Sequence, residues 1–161
     1  MHKTIIAVYE NHADAIKAVE ELKLKGFGKR HISLVGKLDV DDDMDSHAMS
    51  KATKGVGATI ILGTAAGVLS GVGLVAIPGL GFLYGAGALV GAIAGFDFGA
   101  IAGGIVANLL LDGEKSIIAD SYDEQLKAGN TLVVLKTTPE KASAGISALE
   151  AFGNYSDLKL H

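Results

Sequence analysis

The sequence contains no cysteine and no tryptophan, and only nine of its 161 residues are aromatic. The absence of cysteine excludes disulfides, thiolate metal sites and cysteine nucleophiles. A run of clustered cations is also missing, since 14 basic residues are outnumbered by 18 acidic ones and the formal net charge is −4. Because nucleic-acid binding needs clustered lysine and arginine to neutralise phosphates, this composition argues against a nucleic-acid partner.

The first residues lack a secretory signal. The apolar run at residues 5–9 is only five residues long, and acidic side chains follow it closely. A signal peptide needs a longer apolar stretch, so we expect the chain to begin in the cytoplasm.

Charge is distributed very unevenly along the chain. Between residues 55 and 111 the only charged side chain is Asp97, and this stretch holds 15 of the 22 glycines together with Ala, Val, Ile and Leu. The rest of the chain has the charge content of an ordinary globular domain. The two parts are therefore predicted to occupy different physical environments.

The two ends of the chain repeat one pattern of strand, helix and strand. Residues 4–10 form a β-branched apolar run, Asn11 can cap a following helix, and residues 31–36 predict a second strand. A shift of 127 places this pattern on residues 131–160, with Pro139 at the start of the second helix. Two such βαβ units predict an α+β, ferredoxin-like fold, in which a four-stranded antiparallel sheet carries two helices on one face.

Everything between the two halves is then an insertion. We divide the chain into a first βαβ half (residues 1–37), an acidic linker and helix start (38–54), a glycine-zipper helical hairpin (55–111), a connecting helix (112–129) and a second βαβ half (130–161).

The predicted hairpin consists of two helical arms, at residues 55–76 and 81–111. Ile77, Pro78 and Gly79 separate them, because proline interrupts a helix and glycine permits a turn. Glycines repeat at four-residue spacing, which places them on one stripe where helix backbones can approach closely. The predicted helix-packing residues are Gly63, Gly67, Gly71, Gly87, Gly91, Gly95, Gly99 and Gly103.

Two environments could stabilise a hairpin so rich in glycine, since each glycine in a helix interior costs about 1 kcal/mol relative to alanine. In the first, the hairpin inserts into the bacterial inner membrane and the sheet domain stays cytoplasmic, with Asp97 as an intramembrane charge. In the second, the protein is cytoplasmic and the hairpin, including a buried Asp97, packs between the subunits of a soluble, shell-like homo-oligomer. The expected partners are therefore other copies of the chain and membrane lipid.

The exit of the hairpin carries a family resemblance. Residues 122–134 read YDEQLKAGNTLVV, and "IPG" lies upstream between the glycine repeats. This combination resembles a bacterial family of general, heat-induced stress proteins with a central glycine-zipper hairpin, although Gly81 and Phe82 stand where that family often has a second proline. The resemblance covers the hairpin and the C-terminal half, and the N-terminal half by type. It implies a stress-inducible protein and brings no catalytic residues.

No other pattern predicts chemistry. Asp41, Asp43 and Asp45 have the spacing of a calcium loop, but Ser46 and Ala52 stand where its glycine and glutamate would be. The five histidines show no metal-ligand pairing, and the glycine runs lack a phosphate-binding lysine. We therefore predict no catalytic, metal or cofactor-binding residues, and interpret the chain as a non-enzymatic, self-associating structural protein that responds to stress.

Overall fold

The protein has a mixed α+β fold built on an antiparallel sheet. A computed structural model describes residues 2–37, 67, 69, 72–77, 81–87, 122 and 124–161. Its elements, in chain order, are β1 (Lys3–Tyr9), α1 (His12–Leu24), β2 (Ile32–Lys37), β3 (Val72–Ile77), β4 (Gly81–Gly87), β5 (Thr131–Thr137), α2 (Pro139–Phe152) and β6 (Tyr155–Leu160). The described strands form one six-stranded sheet in the order β3-β4-β2-β5-β1-β6.

The first half of the chain has the elements that its local pattern predicts. Asn11 caps α1, because its side chain accepts a hydrogen bond from the backbone N–H of Asp14. Five residues at helical spacing form the buried face of α1, namely Ala15, Ile16, Ala18, Val19 and Leu22. The chain turns at Gly26, whose φ of +92° is readily adopted by glycine, and a 3₁₀ turn at Lys29–His31 leads into β2.

The second half repeats this construction. Pro139 occupies the first turn of α2, and Gly153 ends the helix with a φ of +71°. α2 packs against α1 and against the same face of the sheet. Gly145 allows this close packing, because a Cβ there would lie 2.6 Å from Cδ2 of Leu135 and 3.1 Å from Cδ1 of Ile5.

The sheet brings the ends of the chain together. β5 lies between β1 and β2, with Ile5 paired to Leu135 and Ile32 paired to the same Leu135 on its other side. β6 pairs with the free side of β1, and two backbone hydrogen bonds between Thr4 and His161 extend that ladder. All these pairings are antiparallel.

The prediction of helix at the centre of the hairpin is wrong. Residues 72–77 and 81–87 are strands that pair with each other, from Ile77–Gly81 to Val72–Ala86, so the chain does reverse between Ile77 and Gly81, but as a β-hairpin. From Leu83 to Gly87, β4 also pairs with β2, so this part of its backbone has partner strands on both sides. The four-residue spacing of the glycines alone suggested a helix. Glycine and β-branched residues are poor helix formers, however, and pairing with distant strands favours a strand here.

Both faces of the central strands are buried. One face packs on α1 and α2 through Ile5, Ala7, Leu34, Val133 and Leu135. Side chains at the alternate positions of these strands point to the opposite face, and they are buried as well. The exposed fraction is at most 1% for Ile6, Val8, Leu83, Leu132 and Val134.

Residues from the insertion contribute to that second face. His161 pairs with Thr4, two residues before Ile6 on the same face, and its ring is hydrogen-bonded to the Tyr122 hydroxyl at 2.8 Å. Tyr122 and Leu126 are both buried. Tyr122, near the end of the insertion, therefore contacts the last residue of the sequence on the side of the sheet opposite the two long helices.

In the part of the chain that the structure describes, no helix combines the length and the apolar character needed to cross a membrane. The acidic linker, most of both predicted arms and most of the connecting helix lie outside the described residues.

Candidate self-association edge and its tyrosine anchor

The β3–β4 hairpin ends the sheet in an uncharged edge strand. Among the described strands, β3 has a neighbour on one side only, and its sequence VGLVAI contains no charged residue. An edge strand presents a row of backbone N–H and C=O groups that another strand can pair with. Apolar, uncharged edges favour such pairing, because nothing on them repels a second strand.

The opposite edge differs in this respect. β6 has the sequence YSDLKL, and its Asp157 and Lys159 form an exposed ion pair at 3.5 Å. Charged side chains on an edge strand oppose pairing with other chains. Of the two edge strands that the structure describes, β6 thus carries charged side chains that oppose pairing and β3 carries none.

Tyr84 anchors the hairpin to the rest of the domain. It lies on β4 directly opposite Gly36 of β2, and Gly36 is opposite Thr131 of β5. The tyrosine ring covers Gly36 so closely that a Cβ there would lie 2.7 Å from the hydroxyl oxygen and 2.8 Å from Cε1. The absence of a side chain at Gly36 leaves the space that the Tyr84 ring occupies.

The hydroxyl of Tyr84 is held by the first turn of α1. His12 Nδ1 lies 2.5 Å from it, and the two rings meet edge to face at a centroid distance of 5.3 Å. Burial raises the pKa of Tyr84, and a side-chain hydrogen bond with Thr131 opposes that rise in part. Burial lowers the pKa of His12. At neutral pH the pair is therefore an uncharged tyrosine and an uncharged imidazole, which link β4 to α1.

The same row of paired residues continues across the sheet. Thr131 is opposite Tyr9 of β1, and Tyr9 is opposite Tyr155 of β6. The Tyr9 hydroxyl is buried, and the described residues provide no hydrogen-bond partner for it. Burial, followed by the influence of Tyr155 and Asp14, raises the Tyr9 pKa. Neither Tyr9 nor Tyr84 is poised to ionise near neutral pH.

A second tyrosine–histidine pair lies on the other face. Tyr122 and His161 are hydrogen-bonded with their rings nearly perpendicular, at a centroid distance of 5.7 Å. Burial, with a smaller contribution from Asp157, raises the Tyr122 pKa to about 12. This pair attaches the end of the insertion to the β1–β6 edge, as the Tyr84–His12 pair attaches β4 to α1.

The predicted helix-packing glycines are described at two positions. Gly67 is helical, and a Cβ built on it meets no described atom within 4 Å. Gly87 is not helical: it ends β4 with a φ of +78°, and a Cβ there would collide with the Ile32 carbonyl oxygen. At Gly87 the backbone does approach another backbone closely, as predicted. The two backbones belong to strands β4 and β2, however, and not to two helices.

The remaining predicted positions lie outside the described residues. They are Gly63, Gly71, Gly91, Gly95, Gly99, Gly103 and Asp97, together with the acidic run at residues 39–45. Within the described ranges, no three histidine or acidic side chains come together as a metal site would require.

The sequence patterns assigned no metal-binding role to the five histidines and did not reveal the contact between Tyr84 and His12. His2 and His31 are exposed, but His12 and His161 are partly buried and each meets a buried tyrosine. One signal was available, since Tyr84 is the only tyrosine between residues 55 and 111. A buried tyrosine usually needs a polar partner for its hydroxyl.

A family model described as "Heat induced stress protein YflT domain" matches residues 4–75. The match supports a general stress protein family, as the sequence resemblance implies. It covers β1, α1, β2 and most of β3, whereas the resemblance rested on residues 122–134 and the "IPG" turn. No curated protein and no solved structure matches the chain.

Proposed function

We propose that this chain is a stress-related, non-enzymatic structural protein that associates with copies of itself through β3. The similarity to the heat-induced stress protein model supports the stress-related role. The observation that carries the self-association is the uncharged β3 strand at the edge of the sheet.

We further infer that the terminal halves form a ferredoxin-like unit. The consecutive strands β2, β5, β1 and β6, with both long helices on one face, support this inference. In this interpretation the insertion lies between β2 and β5, and it returns to the unit by adding the β3–β4 hairpin beside β2. The ferredoxin-like unit would otherwise end at β2.

Pairing between two β3 strands offers a closed arrangement. Two copies related by a two-fold axis would place the same edge of each against the other, which is the commonest symmetry of soluble homo-oligomers. Backbone hydrogen bonds would supply affinity, and β3 itself has no charged side chain that would oppose contact. The tyrosine anchor would keep the edge in place, because Tyr84 and His12 fix β4 to α1.

A non-enzymatic role agrees with the electrostatics of the described tyrosines. Burial raises the pKa of Tyr9 and Tyr84, so their hydroxyls stay protonated at neutral pH and are weak nucleophiles. His12 is engaged with Tyr84 in a contact that joins two elements of the fold.

Membrane insertion through a helical hairpin, the other sequence hypothesis, would have to work without residues 72–87. β3 and β4 belong to the sheet, which leaves 55–71 and 88–111 as the apolar stretches for lipid. The first of these is 17 residues long, at the lower limit of about 17–25 residues for crossing a bilayer. The second contains Asp97, whose insertion costs about 2.5–3.5 kcal/mol at mid-membrane. We therefore favour the association of sheet edges.

Light scattering on the full chain, purified without detergent, tests the proposal. We expect a particle of at least twice the 16.4 kDa chain mass. Leu74→Pro and Val75→Pro each remove one backbone N–H, and because N–H directions alternate along a strand, one points to β4 and the other to the open edge. The variant that loses the outward N–H should keep the parent melting temperature and dissociate.

The control and the refuting outcomes are defined by the same experiment. The control is Ser143→Lys, a surface change away from β3 at an exposed position of α2. Proline is not used there, because it would disrupt the helix. The lysine variant should leave the mass unchanged. A parent protein that is monomeric, or two folded proline variants that both keep the parent mass, contradicts association through β3. Recovery of the parent only from membranes with detergent would favour the insertion hypothesis instead.

A further inference from the structure

One end of the domain collects cations that are scattered in the sequence. β1 and β2 begin there, α1 and β5 end there, and α2 starts there. Seven of the 14 basic residues lie at this end, which we call the basic end: Lys3, Lys23, Lys25, Lys29, Arg30, Lys136 and Lys141. The described acidic residues beside them are Glu20 and Glu21, in the last turns of α1, and Glu140, in the first turn of α2.

The other end of the domain has the opposite character. Glu10, Asp14, Glu124 and Glu150 lie there, with Lys37 and Lys127 as the cations. Among the described residues, therefore, positive charge is concentrated at one end, although the whole chain has a net charge of −4. Such asymmetry favours attraction to an anionic partner even when the whole molecule is acidic.

Exposed apolar side chains occur at the same end. Among the described residues, the large hydrophobic side chains that are exposed are Leu24, at 79%, and Leu160, at 45%. Leu24 lies between Lys23 and Lys25 at the end of α1, and Leu160 is paired with Ile5 near the start of β1. Both leucines lie beside the basic end, and their exposure to water is energetically unfavourable.

We propose that the basic end binds the surface of an anionic lipid bilayer, with Leu24 and Leu160 entering the headgroup region. Lysine and arginine beside a bilayer are attracted to its negative surface potential, and exposed leucines gain by leaving water. A nucleic acid would use the cations but would leave both leucines exposed. The combination of positive charge with protruding leucines therefore fits a lipid surface better than a phosphate backbone. This contact is peripheral and uses neither the glycine-rich insertion nor β3.

Sedimentation of the full chain with lipid vesicles tests the proposal. We expect binding to phosphatidylcholine vesicles that contain phosphatidylserine, release at high salt, and little binding to phosphatidylcholine alone. Lys25→Glu/Arg30→Glu should weaken binding by at least about 25-fold, since each cation near such a surface contributes about fivefold. Leu24→Ser should weaken it by about tenfold without changing its salt dependence. All three substituted side chains are exposed, so these variants should fold.

A matched variant separates the position of the charges from their number. Lys17→Glu/Lys127→Glu makes the same change in net charge at exposed sites outside the basic end, and should bind nearly as the parent does. Equal losses in the two double variants, or no binding by the parent, overturn the proposal. Binding that resists high salt points to insertion and also overturns it. Tighter binding to a DNA or RNA duplex, unaffected by Leu24→Ser, would assign the basic end to nucleic acid instead.

Discussion

Gly36→Ala tests whether the tyrosine anchor holds the hairpin to the domain. The added methyl group would lie under 3.0 Å from three atoms of the Tyr84 side chain, which is itself only 1% exposed and has little room to move. Overpacking of this kind costs about 1–3 kcal/mol, and displacing the hydroxyl from His12 loses about 1 kcal/mol more. Replacing glycine by alanine in a strand returns about 0.5–1 kcal/mol. We expect a net loss of about 2 kcal/mol and a melting temperature lower by about 4–8 °C.

Thermal unfolding of two further variants isolates the contact. Gly28→Ala places its methyl group 3.7 Å from the His31 ring, an ordinary contact, and should change the melting temperature little. Tyr84→Leu destabilises the protein by itself, but it lacks the ring atoms that a methyl group at position 36 would strike. In that background Gly36→Ala should be nearly neutral, so the two effects should not add. Additive effects, or a Gly36→Ala variant as stable as Gly28→Ala, would show that the ring does not rest on Gly36.

Three further predictions concern stability. Burial lowers the pKa of His12 below 6.5 in the native state, so the unfolded chain binds more protons below that pH. The free energy of unfolding should therefore fall as pH drops from about 6.5. Chemical denaturation should show a weaker dependence of this free energy on pH for His12→Asn. Tyr122 has a pKa of about 12 in the native state against 10.0 when unfolded, so stability should decline as pH rises from 10 towards 12, with a smaller slope in Tyr122→Phe; an unchanged slope would contradict its burial. Gly87→Ala should cost at least about 2 kcal/mol more than Gly129→Ala, since both have positive φ but only Gly87 faces the Ile32 carbonyl; equal melting temperatures would argue against the β2–β4 pairing.

The elements at the two ends of the chain could be predicted because local signals specify them. Asn11 caps α1, Pro139 starts α2, and the apolar residues of both helices repeat at helical spacing. β1 reads as a strand buried on both faces, and residues 5–9 are fully buried. Each of these signals acts within a few residues of the element that it specifies.

The centre of the chain could not be predicted in the same way, because its partners are distant in sequence. Glycines four residues apart suit a helical stripe, yet Gly81 and Gly85 lie in a strand whose other neighbour, β2, precedes it by more than 40 residues. The tyrosine anchor joins His12 to Tyr84, 72 residues away, and no spacing motif announces such a pair. Its existence depends on Gly36 lying between β4 and β5, which only the sheet order reveals.

The strand order has a consequence for how the protein is made. β1 pairs with β5 and β6, β2 with β4 and β5, and β3 with β4, so no two of the first three described strands are neighbours. A nascent chain that ends at residue 75 holds β1, α1, β2 and most of β3 without one complete pair among them. At about 5–20 residues per second, synthesis takes several seconds more to supply β5, the strand that joins β1 to β2. During that interval β4 can already pair with β2 and β3, but β1 has no native neighbour, and this apolar strand stays exposed to aggregation until β5 is made.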